Sequence, residues 1–189
     1  NEVRSILKLP TDDHIALFFG FVRPYKGLGV LFEALGKLKN SSVDIHLLVA
    51  GEFWDDLAHY QKQVQTLGLS HMITIRAKYI PDSEAGLYFE AADLFVAPYL
   101  EGTQSGSIKQ AMSYELPLIV TDAIVDQMIM EYPFGVQVVP AGDPVPLAAA
   151  IQSTLTDGDY LNRSSQNEQT SWKNLMSALT NDHNHQTTL

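Results

Sequence analysis

The 189 residues include no cysteine, carry a formal charge of −10 and are 46% hydrophobic. That length and apolar fraction suffice for one substantial core, while the acidic balance argues against a nucleic-acid surface, which needs clustered cations. Without thiols there are neither disulfides nor thiolate metal sites, and the redox compartment stays open. The longest apolar runs, such as 94–98 and 116–120, are too short to span a bilayer, and no signal-peptide pattern opens the sequence. The chain begins at Asn1 rather than at a methionine, so a fragment of a longer protein is expected.

In chain order, residues 15–19 form a short continuous apolar run of the kind found in a strand buried on both faces. Val30, Leu31, Ala34, Leu35 and Leu38 then recur at helical spacing, with Lys37 and Lys39 near the expected helix end. Residues 44–50 return to a strand pattern that stops at Gly51, and a polar-faced helix is expected from about Asp55 to Leu67, ended by Gly68. A third strand is expected at 72–75. Asp82 or Ser83 is expected to cap a helix running to about Ala91. Strands at 94–97, 118–121 and 135–139 follow, with a helix at 105–114 between the first two. Closing helices are expected at 146–155 and about 166–179, and the tail from Asn181 to Leu189 reads as frayed. Strands alternating with helices in this way predict an α/β fold with a parallel sheet covered on both faces.

Ligands of such sheets sit at the carboxyl ends of the strands, where the strand order reverses. Polar and glycine residues gather there: Gly20, Arg23 and Lys26 after the first strand, Gly51 and Glu52 after the second, and Lys78, Tyr79 and Ile80 after the third. Pro98 to Ser107 follows the fourth, and Thr121 with Asp122 the fifth. Gly20 would let a ligand approach the backbone, and the next helix start offers unpaired N–H groups beside two cations. Together these features suit two adjacent phosphates; a plain surface loop with solvated cations is the weaker, competing reading of that segment alone. Residues Thr103, Gln104, Ser105, Gly106 and Ser107 open a helix, and Gly106 beside Ser107 suggests that an anion reaches the backbone itself. A simple cap is the competing reading. Glu101 beside an anion site makes sense as an acceptor for sugar hydroxyls.

These pieces, in this order, resemble the carboxyl-terminal, donor-binding domain of retaining GT-B glycosyltransferases of the glycosyltransferase group 1 family. The resemblance is carried by 19–27 with 31–35, 48–52, 80–84, 91–99, 101–107 and 116–122, and covers about residues 3–180. It implies one half of a GT-B fold, a Rossmann-like doubly wound sheet of about six strands, with residues 1–180 as the donor domain and 181–189 as a disordered tail. It implies hexosyl transfer from a nucleotide diphosphate sugar to a carbohydrate or lipid-linked acceptor, as in polysaccharide biosynthesis, with no cofactor and no metal. Arg23 and Lys26 would hold the diphosphate and stabilise the leaving group; Glu101 would sit near the donor sugar. Gly20 would let the donor close on the first strand. Tyr79 and Ile80 would lie along the base, and the backbone at 105–107 would meet phosphate. The expected partners are the donor and an amino-terminal acceptor domain, without which this chain would be inactive. The expected location is cytoplasmic, with peripheral membrane association of the full-length protein at the inner face.

Two departures stand out. The second glutamate of the family's Glu-x7-Glu motif, assigned to the ribose hydroxyls, falls at Gln110 when the helix is aligned on Pro117, and the loop from Glu101 is one residue longer than usual. Gln110 can still bond a hydroxyl, without charge assistance. Two other readings therefore stay open: a non-catalytic nucleotide-sugar binding or scaffold module, and a dinucleotide-binding oxidoreductase domain, the latter weakened by the absence of Gly-x-Gly-x-x-Gly in the first turn. Asp55 and Asp56 read as helix-start charge, Asp93 as a structural group and Asp122 as a loop-fixing acceptor. The face of Trp172, Leu175, Met176 and Leu179 reads as core. His183 and His185 suggest no real metal site, and the sequons at Asn40 and Asn162 read as chance.

Overall fold

In a computed structural model, residues 2–102 and 104–156 are described. The expected helix at 166–179, its apolar face, the tail, His183, His185 and Asn162 lie outside them. The elements run α1 (Glu2–Ile6), β1 (His14–Phe19), a 3-10 turn (Pro24–Lys26), α2 (Leu28–Leu38), β2 (Ile45–Ala50), α3 (Leu57–Leu67) and β3 (Ile73–Arg76). They continue with α4 (Asp82–Glu90), β4 (Leu94–Ala97), α5 (Gly106–Ser113), β5 (Leu118–Thr121), α6 (Gln127–Met130), β6 (Val136–Val139) and α7 (Pro144–Thr156).

The strands form one parallel six-stranded sheet in the order β3-β2-β1-β4-β5-β6. The α/β class read from the alternating pattern is the architecture found. Because successive side chains of a strand point to opposite faces, each apolar run feeds two cores. Ala16, Phe18, Leu47, Val49, Leu94 and Val96 pack under α2, α3 and α7. Ile15, Leu17, Phe19, Leu48, Phe95 and Val120 pack under α4 and α5. Phe18, Phe32, Phe89 and Phe95 are fully buried in them.

Local chemistry explains the boundaries. Asp56 caps α3, its Oδ1 accepting from the Ala58 N–H at 2.9 Å, and Gly68 closes that helix in the left-handed region. Asp55 accepts from the Asp56 N–H and from the Tyr60 hydroxyl; burial, then this carboxylate, push the Tyr60 phenol up to about 12. The expected cap at Asp82 or Ser83 is corrected: Pro81 holds the capping position, with no side-chain cap, and its carbonyl accepts from Glu84 and Ala85. Pro81 suits that place because it has no N–H to leave unpaired and its extended ψ precedes the first turn, and Asp82 and Glu84 there complement the positive end of the dipole. Asp93 is structural: one of its oxygens accepts from Arg4 at 2.7 Å and from the Ile15 N–H at 2.6 Å. Asp122 accepts from the Ala141 N–H at 2.9 Å, tying the loop after β6 to the end of β5. Three short elements have no counterpart in the sequence reading: α1, the 3-10 turn and α6. Each is too brief to show a period.

Candidate functional site

The strand order reverses between β1 and β4, where the connections leave on opposite faces and open a crevice at the carboxyl edge. A cavity of about 330 Å³ occupies that crevice. Its lining comes from the segments after β1 (Gly20, Phe21, Tyr25, Lys26), β2 (Gly51, Glu52), β3 (Tyr79, Ile80, Asp82) and β4 (Tyr99, Gln104, Ser105, Gly106, Ser107, Gln110).

Two backbone devices shape it. Gly51 has φ +151, and a Cβ there would overlap the carbonyl oxygen of Gly20, so the chain can cross there only as glycine. Gly20 has φ +105; a Cβ on it would meet Lys26 Nζ at 3.2 Å and Ser107 Oγ at 3.6 Å. The end of β1, the ammonium and the serine hydroxyl therefore converge on one spot.

Lys26 is only 8% exposed, at the end of the 3-10 turn. No carboxylate among the described residues pairs with it. Its Nζ lies 5.2 Å from the centre of the Tyr99 ring, a contact that compensates burial of a charge only in part. Lys26 is also the one cation among the described lining residues, facing the start of α5. There Ser105 caps the helix by accepting from the Ile108 N–H, and the N–H groups of Gly106 and Ser107 have no intrahelical acceptor. The space a Cβ of Gly106 would fill is open. An ammonium and free helix-start amides across a small cavity make a receptor for an anion.

The other end of the cavity is different in kind. Tyr79, exposed, and Ile80, buried, bring apolar surface, and Glu52 and Asp82 bring carboxylates that suit hydroxyl or amine donors.

Of the residues singled out in the sequence, the cavity thus gathers Gly20, Lys26, Tyr79, Ile80, Gln104, Ser105, Gly106, Ser107 and Gln110. Thr103 lies outside the described residues. Arg23 and Glu101 are not part of the lining. Arg23 places its guanidinium over the Trp54 ring at 4.2 Å, and Trp54 also packs on Phe21 with ring centres 5.0 Å apart. The segments after β1 and β2 are stitched together there: Val22 donates to the Glu52 carbonyl, and Trp54 donates to that of Val22. Glu101 is exposed, on the loop after β4. Phe21, Tyr25, Asp82 and Tyr99 were missed as site residues, and Glu52 was placed at this edge without a role; Phe21, Glu52 and Tyr99 stand just after strand ends, the signal that could have found them. Among the described residues no group of acidic and histidine side chains could hold a metal ion, and no helix is long and apolar enough to cross a membrane.

The family model for glycosyl transferases group 1 matches residues 13–157. The chain is 28% identical over 141 residues to phosphatidyl-myo-inositol mannosyltransferase of Mycobacterium leprae, covering 74% of this chain and 36% of that protein. It is 24% identical over 143 residues to alpha-monoglucosyldiacylglycerol synthase of Acholeplasma laidlawii, covering 71% of this chain and 33% of that one. The chain thus spans about a third of the length of these curated relatives. Among solved structures, the carboxyl-terminal domain of the glycosyl transferase LpcC from Francisella tularensis superposes with a TM-score of 0.70 at 22% identity, over 88% of this chain and 87% of that one. HepE from Anabaena, solved in complex with UDP and glucose, gives 0.72 at 17% identity over 93% of this chain and 51% of its own. With its sheet, its cavity at the strand-order reversal and the match over residues 13–157, the chain belongs to the glycosyl transferases group 1 family and has the fold of a GT-B carboxyl-terminal domain.

Proposed function

We propose that this chain binds the nucleotide diphosphate of a sugar donor in the cavity. Joined to an amino-terminal domain that brings a carbohydrate or lipid-linked acceptor, it serves a retaining hexosyl transfer. The observation that carries the reading is Lys26, a nearly buried ammonium with no carboxylate partner among the described residues, facing the free amides of Gly106 and Ser107. The diphosphate lies between them, where the growing charge on the leaving group is stabilised by groups already in place. The base rests on Tyr79 and Ile80, with Gln110 toward the ribose. Glu101 reaches the donor sugar from the rim, and Arg23 leaves the Trp54 ring to add a second cation. This protein works in the cytoplasm, with the whole protein at the inner membrane face.

Calorimetric titration of the chain with UDP, GDP, ADP and NAD tests the reading. A nucleoside diphosphate binds weakly and NAD does not; NAD binding without diphosphate binding overturns the proposal. Sugar transfer by this chain alone would refute the need for a second domain. A second reading, a binding or scaffold module on the same fold, is favoured by one observation: the cavity wall carries the neutral Gln110 where the family pattern has a carboxylate. The two readings part on whether the full-length protein transfers sugar.

A further inference from the structure

Tyr99 follows β4 and is 2% exposed, yet its hydroxyl is not spent on the core. It lies 2.9 Å from Ser105 Oγ and 3.2 Å from Ser107 Oγ, and the two serine oxygens are 3.0 Å apart. Each hydroxyl has one proton to donate and can accept as well. Three hydroxyls in a triangle can therefore donate head to tail in either sense, each donor satisfied and none aimed outward. Ser105 is also held as the cap of α5 by the Ile108 N–H. The longest edge is the one between Tyr99 and Ser107. The same aromatic ring carries Lys26 on its face, and Ser107 Oγ and Lys26 Nζ both border the spot beside Gly20. One side chain thus touches every anion-binding side chain at this end of the cavity.

We infer that Tyr99 is a positioning residue for the diphosphate, an inference that rests on the donor-binding reading above. In the empty site its hydroxyl stores the Ser107 proton inside the triangle, which keeps a buried donor satisfied. When phosphate enters, the Ser107 hydroxyl rotates out to donate to it. Only the longest edge opens, and the Tyr99–Ser105 and Ser105–Ser107 contacts keep the serine aimed. Tyr99 further fixes the ammonium at the height of that hydroxyl, so the two donors meet the same phosphate. Its own carbonyl accepts from the Thr121 hydroxyl, anchoring this assembly to the end of β5.

Tyr99→Phe removes the hydroxyl and leaves the ring under Lys26, so the variant keeps its packing. With the full chain and UDP as the probe, Tyr99→Phe weakens binding about tenfold, the size of a lost hydrogen-bonding arrangement around a charged ligand. Binding of uridine, which lacks phosphate, stays unchanged. Ser107→Ala has the same effect, and the double variant Tyr99→Phe/Ser107→Ala loses no more than either single one, because both act through one donor. A purely structural tyrosine would shift uridine and UDP alike or neither, and additive losses would separate the two residues. Either of those results, with the parent and Lys26→Ala behaving as a diphosphate site requires, overturns the inference alone. No UDP, GDP or ADP binding by the parent overturns the inference together with the reading beneath it.

Discussion

The two edges of the sheet treat charge in opposite ways. At the amino edge Arg4 is fully engaged: its guanidinium donates to the carbonyls of Ala91 and Asp13 at 3.0 Å each and to Asp93 at 2.7 Å, while Asp93 also takes the Ile15 N–H. At the carboxyl edge Lys26 is buried as deeply, with an aromatic face for company. A charge removed from water is costly unless paired, so one left without a carboxylate among the described residues, beside a cavity, is suited to a ligand that arrives later. The paired charge holds the protein together; the one without a carboxylate among the described residues is the binding group of the proposed function.

The comparison breaks most visibly at Asp93. Asp93→Ala strands the Arg4 guanidinium and the Ile15 N–H and is expected to destabilise the fold by about 3 kcal/mol, near the lower bound for breaking a buried pair because both side chains keep some exposure. Urea unfolding checks this, and nucleotide affinity of the folded variant stays at the parent level. Lys26→Ala is the mirror case: stability changes little, while UDP binds about 2 kcal/mol more weakly by calorimetry. If Lys26→Ala instead unfolds the protein with affinity intact, the contrast between the edges is false. Arg23→Ala costs less affinity than Lys26→Ala, since Arg23 must first leave Trp54.

A smaller effect sharpens the picture at Gln110. Gln110→Glu gives the ribose hydroxyls a charged acceptor and tightens UDP by about 1 kcal/mol. Lost thermal stability with no gain in affinity would mean that this side chain does not reach the ligand. The smallest effect belongs to the amino edge again. His46 is buried at the start of β2, its Nε2 paired with Thr74 at 2.8 Å and its Nδ1 without a partner among the described residues. Burial, opposed by Asp13 and aided by His71, lowers its pKa from 6.5. The unfolded chain therefore takes up a proton first as pH falls. Stability is full above pH 6.5 and declines below it, down to the lowered folded value. Melting temperatures between pH 7.5 and 5 should show that decline, and His46→Gln should flatten it; an unchanged slope rules out His46 as its source.

Much of this was legible in the chain because burial writes itself into composition. Residues 94–97 and 118–121 were read to their true ends, since strands covered on both faces are continuous apolar runs with hard stops at Asp93, Pro98 and Pro117. Gly20 and Lys26 stood out for a related reason: a glycine that ends such a run, and a lysine in the loop that follows, have no strand core to serve. The rest depends on contacts between segments far apart in sequence. Nothing near Arg23 announces Trp54, because the two meet only when the segments after β1 and β2 are stitched together. Tyr99 reads as one more aromatic until the turn into α5 folds Ser105 and Ser107 back onto its hydroxyl.

The crossing of Gly20 and Gly51 has a consequence for how this site can change. There the cavity floor is peptide, and any side chain at Gly51 would collide with it. Peptide at that crossing offers substitution nothing to reshape, so ligand preference is more readily altered at side chains of the lining, among them the exposed Glu52, Tyr79, Asp82 and Gln104. Randomising those positions while leaving the two glycines alone is the economical way to retrain this pocket for a different ligand.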